Sequence, residues 1–394
     1  MKRMLAAVLT AVSLLFLMSC ASQPASSSAS AESSPAENAG SASSEAAPAA
    51  PILTDAERAV EIVSQMSLEE KVGQLFFARV PESDAANDVY TYHLGGYILF
   101  GRDTKDKTAN ELIQTIQHDQ DMADIPLLIG VDEEGGTVVR ISSNPHIRSQ
   151  KFKSPQQLYA QGDLQAIIRD TREKDVLLKA LGFNVNLAPV ADVSTDPKDF
   201  IFDRSFGQDA AQTSSYTSIV TSAMTSDDMG SVLKHFPGYG NNADTHTGIA
   251  VDNRSLETFE TSDFLPFTSG LHRGGGMTAV LVSHNIVTCM DPDLPASLSP
   301  AVHEKLRKLM ADAGCENNVV MTDDLVMDAV KAYADNGSVA ALAIQAGNDL
   351  LIATDYREQI PQVIAAVKDG TLDEKLIDAA CGRVLQWKMA LGLL

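Results

Sequence analysis

Residues 234–248 hold the densest chemistry in the chain: Lys-His-Phe-Pro-Gly-Tyr-Gly-Asn-Asn-Ala-Asp-Thr-His-Thr-Gly. Three glycines and a proline make this a shaped loop. Asp244 and His246 stand two apart, so the carboxylate can accept from one imidazole nitrogen and leave the other for proton transfer. Lys234 and His235 adjoin, and adjacent residues of a strand point to opposite faces, so they share a ligand only if the backbone turns there. Asp323-Asp324 is a second candidate, following the apolar run Val319-Val320-Met321. A carboxylate there can serve as nucleophile, general base or metal ligand, or can cap the next helix, the role that suits Asp324 better. At most one of the two is expected to face a cavity.

Asp132-Glu133-Glu134-Gly135-Gly136 gathers three acids at another strand end, which needs a cation or a hydroxyl-rich ligand. No His accompanies them and the spacing fits no familiar Ca²⁺ loop. Arg204, beside Asp203, can fork onto a carboxylate or a pair of hydroxyls, or be tied structurally to Asp203. Among the other histidines only His284 stands at a strand tip. Cys289, Cys315 and Cys381 show no activating pattern and read as buried small hydrophobes. No metal and no cofactor are expected.

Eight short apolar runs must carry these groups: 73–78, 95–100, 126–132, 183–190, 231–236, 278–284, 318–324 and 349–355. Runs apolar throughout suit strands buried on both faces, as a parallel sheet requires. The segments between are long enough for crossover helices. Ser67-Leu68-Glu69-Glu70 is a capping box, and Leu376, Ala380, Val384 and Trp387 mark the inner face of the last helix. Eight such units predict an α/β fold, a single (β/α)8 TIM-like barrel over residues 51–394. Asp132, Lys234-His235, His284, Asp323-Asp324 and Asp355 all fall at strand ends, where that fold keeps its chemistry. A doubly wound open sheet is the rival, without the glycine-rich sequence that would give it a nucleotide.

The chain has 394 residues and 52 acidic against 30 basic side chains, a formal charge of −22. That balance excludes a nucleic-acid partner, which needs clustered cations. Lys2-Arg3 precedes an apolar stretch from Met4 to Met18 that is too short to span a bilayer and reads as a secretory signal. Leu17-Met18-Ser19-Cys20 resembles a bacterial lipobox, which implies a signal peptide over 1–19 and a lipid on Cys20. Residues 20–50, dominated by Ala and Ser, read as a disordered tether. The expected location is extracytoplasmic, held to the membrane by the lipid alone, with the folded part a monomer.

Taken together, the motifs resemble glycoside hydrolase family 3, in its β-N-acetylglucosaminidase branch. The resemblance runs from about residue 55 to the end. It is carried by Lys234-His235-Phe236-Pro237-Gly238, Asp244-Thr245-His246, Thr322-Asp323-Asp324-Leu325 and Asp203-Arg204-Ser205-Phe206-Gly207. It implies a (β/α)8 barrel and retaining hydrolysis of terminal β-linked N-acetylglucosamine, in peptidoglycan fragments or related amino sugars. Asp323 matches the family's nucleophile, His246 its general acid/base and Asp244 the partner of that imidazole. Asp132, Arg204, Lys234 and His235 match residues that hold the sugar hydroxyls. Tyr239 stands where the branch commonly has His, Glu133 where it has Gln, and the stretch between Gly240 and Asp244 is one residue shorter. A glucosidase of the same family and a non-catalytic sugar-binding lipoprotein are the alternative readings.

Overall fold

The computed structural model describes residues 53–242, 248–331, 333 and 338–394. Eight parallel strands form its main sheet: β1 (Phe76–Arg79), β2 (Gly96–Leu99), β3 (Leu128–Val131), β4 (Val185–Asn186), β5 (Gly230–Phe236), β6 (Thr278–Val282), β7 (Val320–Thr322) and β8 (Leu351–Ala353). Each pairs with its sequence neighbour, and β8 also pairs with β1. A parallel bridge between Met321 and Leu350 joins β7 to β8 and completes the ring. All eight expected runs become strands, and closure into a barrel excludes the open sheet.

The two-residue period of a strand explains how the barrel is filled. Phe77, Ile98, Leu128, Val185, Leu187, Val232, Ala279, Leu281, Met321 and Ile352 point inward as one apolar cluster. Alternate residues such as Phe76, Ala78, Tyr97, Leu99, Ile129 and Val131 pack outward beneath the helices. Each fully buried Val, Leu, Ile, Met or Phe side chain among them contributes about 1.5–3 kcal/mol. The last helix, Glu374–Ala390, brings Val384 and Trp387 to the inward cluster, with Leu391 just beyond it. Trp387 Nε1 donates to the Met277 carbonyl at 3.1 Å, beside the start of β6. This plugs the end of the barrel at which the strands begin, so the open mouth lies at their carboxyl ends.

Two local expectations are corrected. Ile377, not Leu376, joins Ala380, Val384 and Trp387 on the inner face of the last helix, and Leu376 is exposed. At 100° per residue Leu376 lies about 80° round from Val384, whereas Ile377 lies about 20° from it. Cys289 is exposed, while Cys315 and Cys381 are buried as expected. The capping box does form: Ser67 Oγ accepts from Glu70 N at 3.2 Å, and Glu70 Oε2 accepts from Ser67 N at 2.7 Å. Among the described residues no helix is long and apolar enough to cross a membrane.

Candidate active site at the barrel mouth

A cavity of about 500 Å³ opens at the carboxyl ends of the strands. Asp132, Arg204, Lys234, His235, Asp323 and Asp324 all border it. Three strand ends and one loop therefore bring together positions up to 192 residues apart in the chain.

Its floor is an ion cluster. Lys234 Nζ lies 2.7 Å from Asp132 Oδ1 and 2.6 Å from Glu134 Oε1. Arg204 forks onto Glu134, Nη2 to Oε1 at 2.8 Å and Nε to Oε2 at 3.1 Å. Sequence left Arg204 open between Asp203 and a ligand, and the structure ties it to Glu134, with Asp203 exposed. Burial alone would disfavour the Glu134 carboxylate, but the charges of Arg204 and Lys234 overcome it and hold the group well below the usual carboxylate range. Burial likewise opposes the Lys234 ammonium, and Asp132 and Glu134 outweigh it, raising its pKa. Two cations and two carboxylates thus balance, and the cation that the acidic run required comes from the protein itself.

His235 is held from both sides. Its Nδ1 lies 2.8 Å from Asp192 Oδ2, and its Nε2 lies 3.1 Å from Arg204 Nη2. An ionised carboxylate only accepts, and a guanidinium only donates. These two partners assign the Nδ1–H tautomer. The Lys234–His235 peptide is cis, and the register against β6 shifts between Lys234 and Phe236. The backbone turns as the shared ligand required, and both side chains border one cavity. Gly238 follows at φ +123°, where a Cβ would meet Asp263 Oδ1 at 2.5 Å. Arg254 pins this stem, donating from Nη2 to the Gly238 carbonyl at 2.9 Å and from Nη1 to Asp263 at 2.9 Å.

Asp323 and Asp324 both border the cavity, against the expectation that only one would. Their surroundings separate them. Asp324 Oδ1 accepts from Val326 N and Thr354 N, and Oδ2 from Thr354 Oγ1 at 2.6 Å, so it ties the β7 tip to the β8 tip. Burial is the main reason its pKa is raised. Asp323 donates its backbone N–H to the Val282 carbonyl, which ties the β7 tip to β6.

Glu133 does not reach the ligand space. It is fully buried and accepts from the backbone N–H groups of Arg140, Ile141 and Ser142 and from Ser142 Oγ, shaping the turn that carries Arg140. His284 is also buried, with Nδ1 on Ser297 Oγ at 2.7 Å and Nε2 on the Asp324 carbonyl at 3.1 Å. Asp244, His246 and Cys20 lie outside the described residues. Sequence reasoning passed over Asp192, Arg79, Phe100 and Arg140. Asp192 follows a strand just as Asp132 does, and that position was the available signal. Among the described residues no group of three or more His, Cys, Asp or Glu side chains is placed to hold a metal.

A closed eight-stranded barrel with charged groups gathered at the carboxyl ends of its strands defines a (β/α)8 enzyme scaffold. The glycosyl hydrolase family 3 N-terminal domain matches residues 67–387, and the chain belongs to that family. It is 29% identical over 397 residues to the β-hexosaminidase LpqI of Mycobacterium tuberculosis, covering 98% of this chain and 97% of that one. It is 33% identical over 269 residues to a β-hexosaminidase of Tolumonas auensis, covering 67% and 76%. Among solved structures, a family 3 β-N-acetylglucosaminidase from Paenibacillus sp. superposes with a TM-score of 0.75 at 29% identity, covering 83% of this chain and 63% of that one. The structure of M. tuberculosis LpqI gives 0.73 at 27% identity, covering 83% and 95%.

Proposed function

We propose that this family 3 glycoside hydrolase is a retaining β-N-acetylglucosaminidase that removes terminal β-linked N-acetylglucosamine, from peptidoglycan fragments or related amino sugars. One observation carries the reading: Asp323 borders the same cavity as the Asp132–Lys234–Glu134–Arg204–His235 cluster. The named relatives support the sugar, being β-hexosaminidases along nearly the whole chain in the case of LpqI.

Asp132 accepts from sugar hydroxyls, while Lys234 and Arg204, whose guanidinium His235 Nε2 steadies, donate to them. A ring held by that cluster presents its anomeric carbon to Asp323. Attack by Asp323 breaks the glycosidic bond and forms a glycosyl-enzyme ester, as His246 delivers a proton to the departing oxygen. Water, deprotonated by His246, then attacks the same carbon and releases Asp323, so configuration is retained. Asp244 orients His246 and stabilises its charged form. Residues 1–19 are read as a lipoprotein signal and 20–50 as a tether. Lipid on Cys20 holds the enzyme at the outer face of the cell membrane.

The test is to trap the intermediate with a fluorinated amino sugar and locate the label by mass spectrometry. Label on Asp323 is the expected result, and label on any other residue overturns the mechanism. Turnover of aryl N-acetylglucosaminide well above that of aryl glucoside is expected for the sugar assignment.

A further inference from the structure

Asp244 and His246 fall in segment 243–247, which is bounded by Asn242 on one side and Gly248 on the other. The two flanks of that segment are tied to each other. Asn242 Nδ2 donates to Asp252 Oδ2 at 2.6 Å and to the Tyr239 carbonyl at 2.9 Å. The same Asp252 oxygen accepts from Arg254 Nε at 3.0 Å and from Nη2 at 2.7 Å. Arg254 Nη2 also reaches back to the Gly238 carbonyl on the outgoing flank, and Nη1 reaches Asp263, each at 2.9 Å. One guanidinium therefore joins the chain before the segment, the chain after it, and the residue that precedes helix Phe264–Gly274.

The junction is held from below. Asp252 and Asp263 are buried, and the Arg254 guanidinium carbon lies 4.4 Å from the centroid of the buried Phe259 ring. Burial opposes the Arg254 charge, but hydrogen bonding to Asp252 and the charge of Asp263 outweigh it and raise its pKa. Val251–Asp252 pairs in parallel with Ile286–Val287, which fixes the returning flank to the chain just after β6. The outgoing flank makes room for the same group: at Gly240, φ +52°, a Cβ would collide with the Arg254 guanidinium. Arg307 and Arg383 also carry a buried carboxylate, Asp349, but that residue stands just before β8, at the closed end of the barrel. Arg254 instead spans the two flanks of a loop that leaves the barrel mouth at His235.

We propose that Arg254 is a positioning residue for proton transfer: by clamping both flanks of segment 243–247 it sets the reach of His246 toward the glycosidic oxygen. Arg254 does not border the cavity, so it acts through the loop and not on the sugar. A short segment hung between two held ends has few paths open to it, and releasing one end multiplies them. A misplacement of about 1 Å in a reacting group costs on the order of 100-fold in rate. Sugar binding and attack by Asp323 do not depend on the clamp, so its loss should fall on proton transfer alone. This rests on the assignment of His246 above.

The experiment compares 4-methoxyphenyl with 2,4-dinitrophenyl N-acetylglucosaminide in the wild type, Arg254→Gln, Arg254→Lys and Asn242→Ala, with kcat/KM as the readout. Methoxyphenolate needs a proton to leave, whereas dinitrophenolate is stable enough to leave without one. Arg254→Gln should lose about 100-fold on the first glycoside and no more than about three-fold on the second. Arg254→Lys keeps the charge without the fork and should fall between that variant and the wild type. Asn242→Ala cuts the other tie and uncovers no buried charge. It should show the same selective loss, about ten-fold, the scale of one charge-assisted hydrogen bond, and it carries the test if Arg254→Gln fails to fold. Equal losses on the two glycosides overturn the inference while leaving the hydrolase reading intact. If the wild type turns over neither glycoside, the hydrolase reading fails instead. Amide hydrogen exchange then judges the clamp by itself: faster exchange across residues 239–252 in the variants, with the barrel strands unchanged, supports it, and exchange equal to the wild type overturns it.

Discussion

Asp192 Oδ2 holds His235 twice, accepting from its ring Nδ1 at 2.8 Å and from its backbone N–H at 3.1 Å. The other oxygen accepts from Tyr239 N at 2.7 Å. One buried carboxylate thus sets both the path of the chain after β5 and the tautomer of the imidazole. Asp192→Asn keeps an acceptor but turns an amide N–H₂ toward donors. A hydrogen bond to a charged group contributes about 1.5–3 kcal/mol, which corresponds to about 10–100-fold. The expected outcome is a fall of that size in kcat/KM for aryl N-acetylglucosaminide, mostly in KM, because His235 positions Arg204 for the sugar and does not react. Steady-state kinetics beside thermal unfolding checks it, and unchanged kinetics in a folded variant contradicts the assignment.

Asp323 and Asp324 adjoin in sequence, and their variants should fail in different ways. Asp323→Asn removes the proposed nucleophile and should lower kcat by about 10³-fold or more while the fold persists. Asp324→Ala removes three hydrogen bonds, two of which join the β7 and β8 tips, and should cost about 1–3 kcal/mol of stability. Rate and unfolding midpoint measured on both variants separate the two roles. Near-normal turnover by Asp323→Asn would sink the mechanism.

Lys388, on the last helix, is completely buried and donates to Gln74 Oε1 at 2.6 Å. Burial pushes its ammonium down to about 7. Between pH 7 and its ordinary value of 10.5 the unfolded chain therefore holds more protons than the native one, so stability rises with pH across that window. Lys388→Met should remove that rise and stabilise the protein by about 2–4 kcal/mol below pH 7. Denaturant unfolding at pH 6.5 and 10 checks both parts. A variant no more stable than the wild type at pH 6.5 contradicts the prediction.

Asp175 gives a slope of the opposite sign. Burial, then the charge of Asp227, raises its carboxyl to about 7, and among the described residues no hydrogen-bond donor reaches either of its oxygens. The native state keeps a proton that the unfolded chain loses near pH 3.8. Stability from this group is therefore present below pH 4 and declines as pH rises toward 7. Asp175→Asn replaces the acid with a neutral amide able to donate to Asp227. It should flatten the decline and add about 1–3 kcal/mol at pH 7.5. Unfolding free energies at pH 5 and 7.5 provide the measurement, and an unaltered difference between them refutes it.

The barrel was legible in the chain because burial on both faces forces each strand into a continuous apolar run, and eight such runs recur with polar tips. Those tips marked Asp132, Lys234, His235 and Asp323 for the same reason: a charged group following an apolar strand must leave the core at its end. Partnership was not legible. That Arg204 takes Glu134 rather than Asp203, that Asp192 orients His235, and that Arg79 and Arg140 share the Phe100 ring depend on closure of the ring. Closure puts strands distant in sequence side by side or face to face, and ion pairing depends on separation in space, for which separation along the chain is no guide.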